Sequence, residues 1–365
     1  MKGYLVLENG RVFQGSLLNE CRSAGGEVVF TTAMIGYQDV ITDPSYYGQI
    51  VVMTYPLVGN VGFNESSFAS RRAMVEGLIL REATAFPSHW EMDTDMITFL
   101  NDSQVTVLTD VDTRALTRVI RNVGTMGGII TASLDNLAKL TAAAGQASAR
   151  LSGDLVRQVT RQEIEHFGDG EKRIVMLDLG SKRGVLHSFL QRGCEVVAVP
   201  ATSSAEEIMA LQPDGLFVSD GPGNPQSLGY AIATVKILLD RLPVFGVGLG
   251  HQVIALAVGA EVNKLAYGHR GSNHPVKNLL NGRVYITTQN HGYAIDEISL
   301  AGTDLQVFLR SLNDHTVEGV SHSRLPVFSV QFDPEGYFGY SDTGIFFDRF
   351  VNSLQVGHGN NVIGG

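Results

Sequence analysis

The sequence predicts an α/β protein in two parts: a β-rich N-terminal domain, then an α/β domain around a mostly parallel sheet. Three observations predict it. The first 130 or so residues are short strand-like runs parted by turns. From residue 172 the rhythm becomes strand, turn, helix. Between them the composition shifts to small, polar and charged residues, as linkers do.

In the N-terminal part, YLVLENGRVFQG reads as a hairpin turning through Asn9-Gly10, and GEVVFTTA is a second β-rich run. A helix is expected from about Asp112 to Val123, capped by Asp112 or Thr113 and ended by Gly124. Asp110-Val-Asp112-Thr-Arg114 resembles a metal or phosphate signature, but the simpler reading is that helix start, with Arg114 paired to a carboxylate. The boundaries read as 1–150 for the first domain, 151–171 for the linker, 172–355 for the second domain and 356–365 for a frayed tail.

In the second part RIVMLDLG, CEVVAVP, GLFVSDGPG and PVFGVGLG alternate with the helix-like SKRGVLHSFLQRG, SAEEIMALQ and YAIATVKILLDRL. Apolar strands with amphipathic helices between them form parallel sheets covered on both faces. Ligands bind such sheets at the carboxyl ends of the strands, so the loops after Leu179, Val218 and Val247 are the first places to look.

With 365 residues, 44% hydrophobic and 18% charged, the chain can bury sizeable cores, and its 41 glycines and 11 prolines follow no fixed repeat. A net charge of −10 argues against general binding to nucleic-acid phosphates. The longest apolar stretch, Pro243 to Ala260, is interrupted by His251, Gln252 and glycines, and MKGYLVLENG lacks a signal-peptide core. A cytoplasmic protein without membrane contact is expected. The two cysteines, Cys21 and Cys194, are too few for a disulfide framework and lack zinc-site spacing. His269 and His274 stand five apart in a Gly-rich loop with no acidic partner in view, and with His251 and His291 they give no metal signature, so none is expected.

The segment PVFGVGLGHQVIALA is a buried strand running straight into an apolar helix through a glycine-dense turn, the layout of a nucleophile elbow. Its tip is Gly248, which tolerates positive φ but carries no nucleophile.

Taken together, GVGLGHQ, SDGPGNP, GHRGSNHPV, QNHGYAID and VQFDPEG follow the order and approximate spacing of a class I glutamine amidotransferase domain. GEVVFTTAMIGYQDVITDPSYYGQIVVMTYPLVGNVG and LTDVDTRALTRVIRNVGTMGG resemble the amino-terminal domain of the carbamoyl phosphate synthetase small-chain family. The resemblance covers about residues 1–355 and implies a β-rich domain followed by a glutamine amidotransferase-like α/β domain. The MKGYLVLENG opening and the compact length resemble the arginine-specific type.

In that family an elbow thiolate attacks the glutamine carboxamide, and a His-Pro-Glu motif supplies the base and the carboxylate that orients it. This sequence departs at both reacting positions: Gly248 stands for the cysteine and Asp333 for the histidine, and only Glu335 is retained. The loop usually reading Ser-Asn-Gly-Pro-Gly-Asp-Pro has amide and carboxylate exchanged at Asp220 and Asn224, and the run after Glu335 is altered to Gly336-Tyr-Phe-Gly. By resemblance Ser45, Gly221, Gly223, Leu249, Gln252, Asn290, Gly292 and Tyr293 would surround a glutamine. The resemblance implies a small subunit with its glutaminase disabled, in complex with a large chain that carries ATP and Mg, and with no cofactor of its own. Carbamoyl phosphate would then be made for arginine or pyrimidine synthesis. A free-standing glutamine-sensing module is the alternative, and a hydrolase using Asp333 lacks a visible nucleophile.

Overall fold

The computed structural model describes residues 1–19, 23–336 and 342–354. Cys21, the Tyr337–Gly339 stretch and the expected tail at 356–365 lie outside the described residues.

The N-terminal strands close into a barrel in the order Lys2–Leu7, Val12–Leu17, Thr106–Thr109, Gly77–Ile79, Gln49–Met53, Ala24–Thr31 and Met126–Thr131, the last pairing back onto the first. Successive side chains of a strand face opposite ways. Val28, Ile50, Val52, Ile79 and Leu108 therefore fill one core with Leu5 and Leu7. Their neighbours Val29, Val51, Leu78 and Val107 pack outward against Tyr37, Phe63 and Leu100.

The anticipated hairpin forms, with Gly10 at φ +81° in its turn. The anticipated helix spans Thr113–Val123, with the Asp112 carboxylate accepting from Ala115 N at 2.9 Å and Gly124 at φ +106° ending it. Arg114, expected to pair with a carboxylate, is exposed and makes no ion pair among the described residues, because its position on the helix faces solvent. Helices Tyr37–Thr42 and Met96–Asp102 were not expected; each is under two full turns, too short for a helical period to show. Helix Leu137–Arg150 lies against the barrel with Ala144 and Ala147 buried. A Cβ at Gly127 would lie 2.0 Å from the Ala144 carbonyl oxygen, so only glycine permits that approach.

The C-terminal sheet runs Glu165–Phe167, Cys194–Pro200, Lys172–Asp178, Gly215–Val218, Val244–Val247, Val327–Val330, Val317–His322, Leu305–Ser311, Val262–Asn278 and Val284–Ile295. The five strands from Cys194–Pro200 to Val327–Val330 are parallel; the rest pair antiparallel, so the sheet is more mixed than expected. The reason is visible in the chain: among the described residues no α-helix intervenes between Ala260 and Ile345, and strands joined by short turns must return antiparallel. Helices Ala205–Ala210, Gly229–Leu238 and Leu249–Ala257 cover one face, and Arg183–Leu190 and Ile345–Ser353 the other, the latter through Phe189, Phe217, Phe245, Phe347 and Phe350.

The long hairpin of the antiparallel half reaches the barrel. Thr32 N donates to Arg270 O at 3.1 Å, Thr125 N to Ala266 O at 2.8 Å, and Lys264 pairs with Glu27 at 2.8 Å. Among the described residues no helix is long and apolar enough to cross a membrane.

Candidate functional site

The strand Val244–Val247 passes through Gly248, at φ +55° and ψ −113°, straight into helix Leu249–Ala257. A Cβ on Gly250 would lie 2.1 Å from the Val218 carbonyl oxygen, so the helix start is pressed against the neighbouring strand and only glycine fits there. A side chain on Gly248 would face strain from positive φ. It would also meet an occupied space: its Cβ would fall 2.1 Å from Asp220 Oδ1.

Asp220 comes from the loop after strand Gly215–Val218. Its Oδ1 accepts from the Leu249 backbone N–H at 2.7 Å, the helix-start amide that could otherwise hold a ligand's carbonyl oxygen. Burial and the nearby Asp43 push the Asp220 carboxyl up to about 7, against the pull of Lys182.

Behind it, Lys182 Nζ lies 2.8 Å from both Asp333 Oδ2 and Glu335 Oε1, and all three side chains are buried. Burial drives Asp333 well above the usual carboxylate range, and Glu335 adds to this. Asp39 rises to about 7, chiefly by burial. Burial would lower Lys182, but Asp333, Glu335, Asp43 and Asp39 outweigh it and hold the ammonium charged. One cation thus serves several carboxylates, and Asp333 and Glu335 are bound to it rather than free to take a proton from a substrate. Motif reading missed Lys182, Asp39 and Asp43. The first had a signal in its place, the loop after the strand Lys172–Asp178, at the carboxyl end of the parallel sheet.

Ser45, Gly221, Gly223, Leu249, Gln252, Asn290, Gly292 and Tyr293 all line one cleft between barrel and sheet, with a cavity of about 90 Å³. Asn290 Nδ2 donates to Ser45 Oγ at 2.7 Å, and the Ser45 hydroxyl donates to Asp43 at 2.6 Å, tying the two halves across the cleft. The Gln252 amide is spent on Tyr293 O and Gln331 Oε1. Glu27, Lys264 and Arg270 add charges to the lining that could meet the ends of a zwitterion.

His251 is a core residue, fully buried, with Nδ1 2.8 Å from Ser329 Oγ, and burial lowers it to about 3. Cys194 is buried at the amino end of its strand, whereas the elbow lies at the carboxyl ends, so it cannot stand in for a nucleophile at residue 248. The fold overturns one premise about the histidines: Glu318 and Asp314 both come against His269.

Asp220→Asn keeps an acceptor for Leu249 N–H and removes the buried charge. The folded-state value near 7 exceeds the ordinary 3.8, so the stability linked to this group is fully present below about pH 4 and is lost as pH rises through 7. The stability of Asp220→Asn relative to the unaltered protein is expected to climb between pH 5 and 8 by about 2–4 kcal/mol. Thermal melts at both pH values check this, and a difference that stays flat contradicts it.

Residues 5–130 match the family described as the carbamoyl-phosphate synthase small chain, CPSase domain, and residues 175–353 match glutamine amidotransferase class-I. The carbamoyl phosphate synthase small chain of Listeria monocytogenes serotype 4b is 45% identical over 355 residues, 97% of each chain. That of Clostridium perfringens is 43% identical over 351 residues, 96% of this chain and 99% of the other. The pyrimidine-specific small chain of Halalkalibacterium halodurans is 43% identical over 360 residues, 97% of this chain and 98% of the other. Agreement along nearly the whole length, with the barrel and the amidotransferase-like sheet both present, establishes that this chain belongs to the carbamoyl phosphate synthase small-chain family.

Proposed function

We propose that this chain is the small subunit of a carbamoyl phosphate synthase whose glutaminase is disabled, so that the assembled enzyme uses free ammonia as its nitrogen source. The observation that carries the reading is the Asp220 carboxylate, which fills the space a residue 248 side chain would need and takes the Leu249 N–H. Amide hydrolysis here would need a nucleophile, a base and a donor for the developing oxyanion. Gly248 supplies no nucleophile, Asp333 is held by Lys182 in place of an imidazole, and the donor is already used. A negative charge at the oxyanion position opposes the tetrahedral intermediate as well.

What remains is scaffold and cleft. The barrel and the hairpin that crosses to it would serve to stabilise or regulate a large chain, which would carry ATP and Mg and make carbamoyl phosphate for arginine or pyrimidine synthesis. The preserved polar lining at Ser45, Asn290 and Tyr293 favours a second reading, a non-catalytic glutamine sensor that stands alone.

Gel filtration with the large chain of the same cell, followed by a nitrogen-donor comparison, separates these. Co-elution at micromolar concentrations, with carbamoyl phosphate formed from ammonium and not from glutamine, is expected. Two separate peaks with glutamine bound to the small chain alone would favour the sensor.

A further inference from the structure

We propose that His269, His291 and Glu318 form a binding site for a divalent transition-metal ion, zinc by its ligand chemistry, that braces the antiparallel half of the sheet. His269 and His291 are cross-strand partners in the long hairpin, and Glu318 comes from strand Val317–His322 beneath them. All three are buried, Glu318 completely, and one ligand atom from each lies within 4.8 Å of the others.

The hydrogen bonds sort the ring nitrogens into outer and inner. His269 Nε2 faces Asp314 Oδ2 at 2.8 Å, and His291 Nδ1 donates to the Tyr293 carbonyl at 2.7 Å. These are the partners that metal-bound histidines take on their far nitrogens, a carboxylate and a backbone carbonyl, which fix the tautomer and turn the other nitrogen's lone pair inward. The inner atoms are left poorly served. His269 Nδ1 is buried without a hydrogen bond, 3.6 Å from Glu318 Oε1. His291 Nε2, deprotonated by this tautomer, faces the Gln289 carbonyl oxygen at 3.2 Å, acceptor against acceptor. Turning the Gln289 amide over would cost the bonds its NH₂ donates to Glu318 at 2.8 Å and Thr287 at 3.1 Å.

A cation among the inner atoms resolves these contacts together. Two imidazoles and a carboxylate suit Zn²⁺, whose bonds of about 2.0–2.2 Å put neighbouring tetrahedral ligands roughly 3.4 Å apart. The 3.6 Å between His269 Nδ1 and Glu318 Oε1 already approaches this spacing. His274, whose Nε2 is buried without a partner and whose ring centroid is 5.4 Å from that of His269, is the nearest candidate for a fourth ligand. His291 lies between Asn290 and Gly292 on the cleft wall, so the ion would stiffen that wall and need not take part in any reaction.

The full-length chain, purified without a histidine tag, is the material for the test. Elemental analysis is expected to find about one zinc per chain after dialysis. Chelation by dipicolinate should lower the Tm, with recovery on adding Zn²⁺ alone. The Glu318→Gln and His291→Asn variants should lose most of the bound zinc. Should either fail to fold, Co²⁺ added to the chelated unaltered protein supplies a second measurement: the visible absorption of tetrahedral nitrogen and oxygen ligation is expected. No bound zinc with a Tm indifferent to chelator and metal, no such cobalt absorption, or zinc retained in full by both folded variants would each overturn the proposal.

Discussion

Gly248→Cys combined with Asp333→His is expected to release little or no glutamate from glutamine, whereas the triple variant that adds Asp220→Asn should turn over at least about 100-fold faster than the double, which is about 2.7 kcal/mol of activation barrier removed at the reacting centre. The sequence motifs point to the double variant as sufficient, since it restores thiol and imidazole. The geometry adds the obstacle. A Cβ at residue 248 must push aside Asp220, whose Oδ1 lies 2.1 Å from where that atom would sit. A displaced carboxylate stays beside the new thiol, raises its pKa and repels the oxyanion, while a neutral Asn does neither. Glutamate release and the thiol-alkylation rate check this in both variants. Equal turnover by double and triple variants would show that Asp220 is no barrier.

Lys182→Met should be the most destabilising single change in the site, by about 3–5 kcal/mol at pH 8, because it strands Asp333 and Glu335 in the interior without their cation. That corresponds to a fall in Tm on the order of 10 °C. The sign with pH follows from the carboxyls. Removing the ammonium raises Asp333 further above its ordinary value, so folded-state protonation relieves the cost as pH falls. The deficit is expected to be smaller at pH 5 than at pH 8. A melting temperature unchanged by the substitution, or a deficit growing toward acid, would contradict the role given to Lys182.

Local chemistry made much of this fold legible. Asp112 and Gly124 bracket a helix because a carboxylate caps free amides and a glycine accepts positive φ, both nearest-neighbour effects. The elbow was legible for the same reason: Gly246 and Gly250 mark where strand and helix approach too closely for side chains, and Gly248 takes the positive φ between them. The eight positions named by family resemblance line one cleft. What could not be read were pairings between distant segments. Lys182 meets Asp333 and Glu335 from about 150 residues away, and Glu318 joins His269 across a strand order that no period encodes. The exchange at Asp220 was visible in the sequence as a changed letter, but its consequence depends on a distance to Gly248 that only the folded chain provides.

We propose that the pocket lacks a working glutaminase because Gly248 and Asp333 stand where the resemblance puts the reacting groups and Asp220 occupies the space beside Gly248. The most direct measurement is glutamate release per chain in a homogeneous complex with the large chain, supplied with ATP, bicarbonate and saturating glutamine. The account predicts a rate several orders of magnitude below the roughly 1 s⁻¹ or more of ordinary enzymes. Stoichiometric glutamate release at about 1 s⁻¹, coupled to carbamoyl phosphate formation and abolished by substituting residues of the cleft, would contradict it.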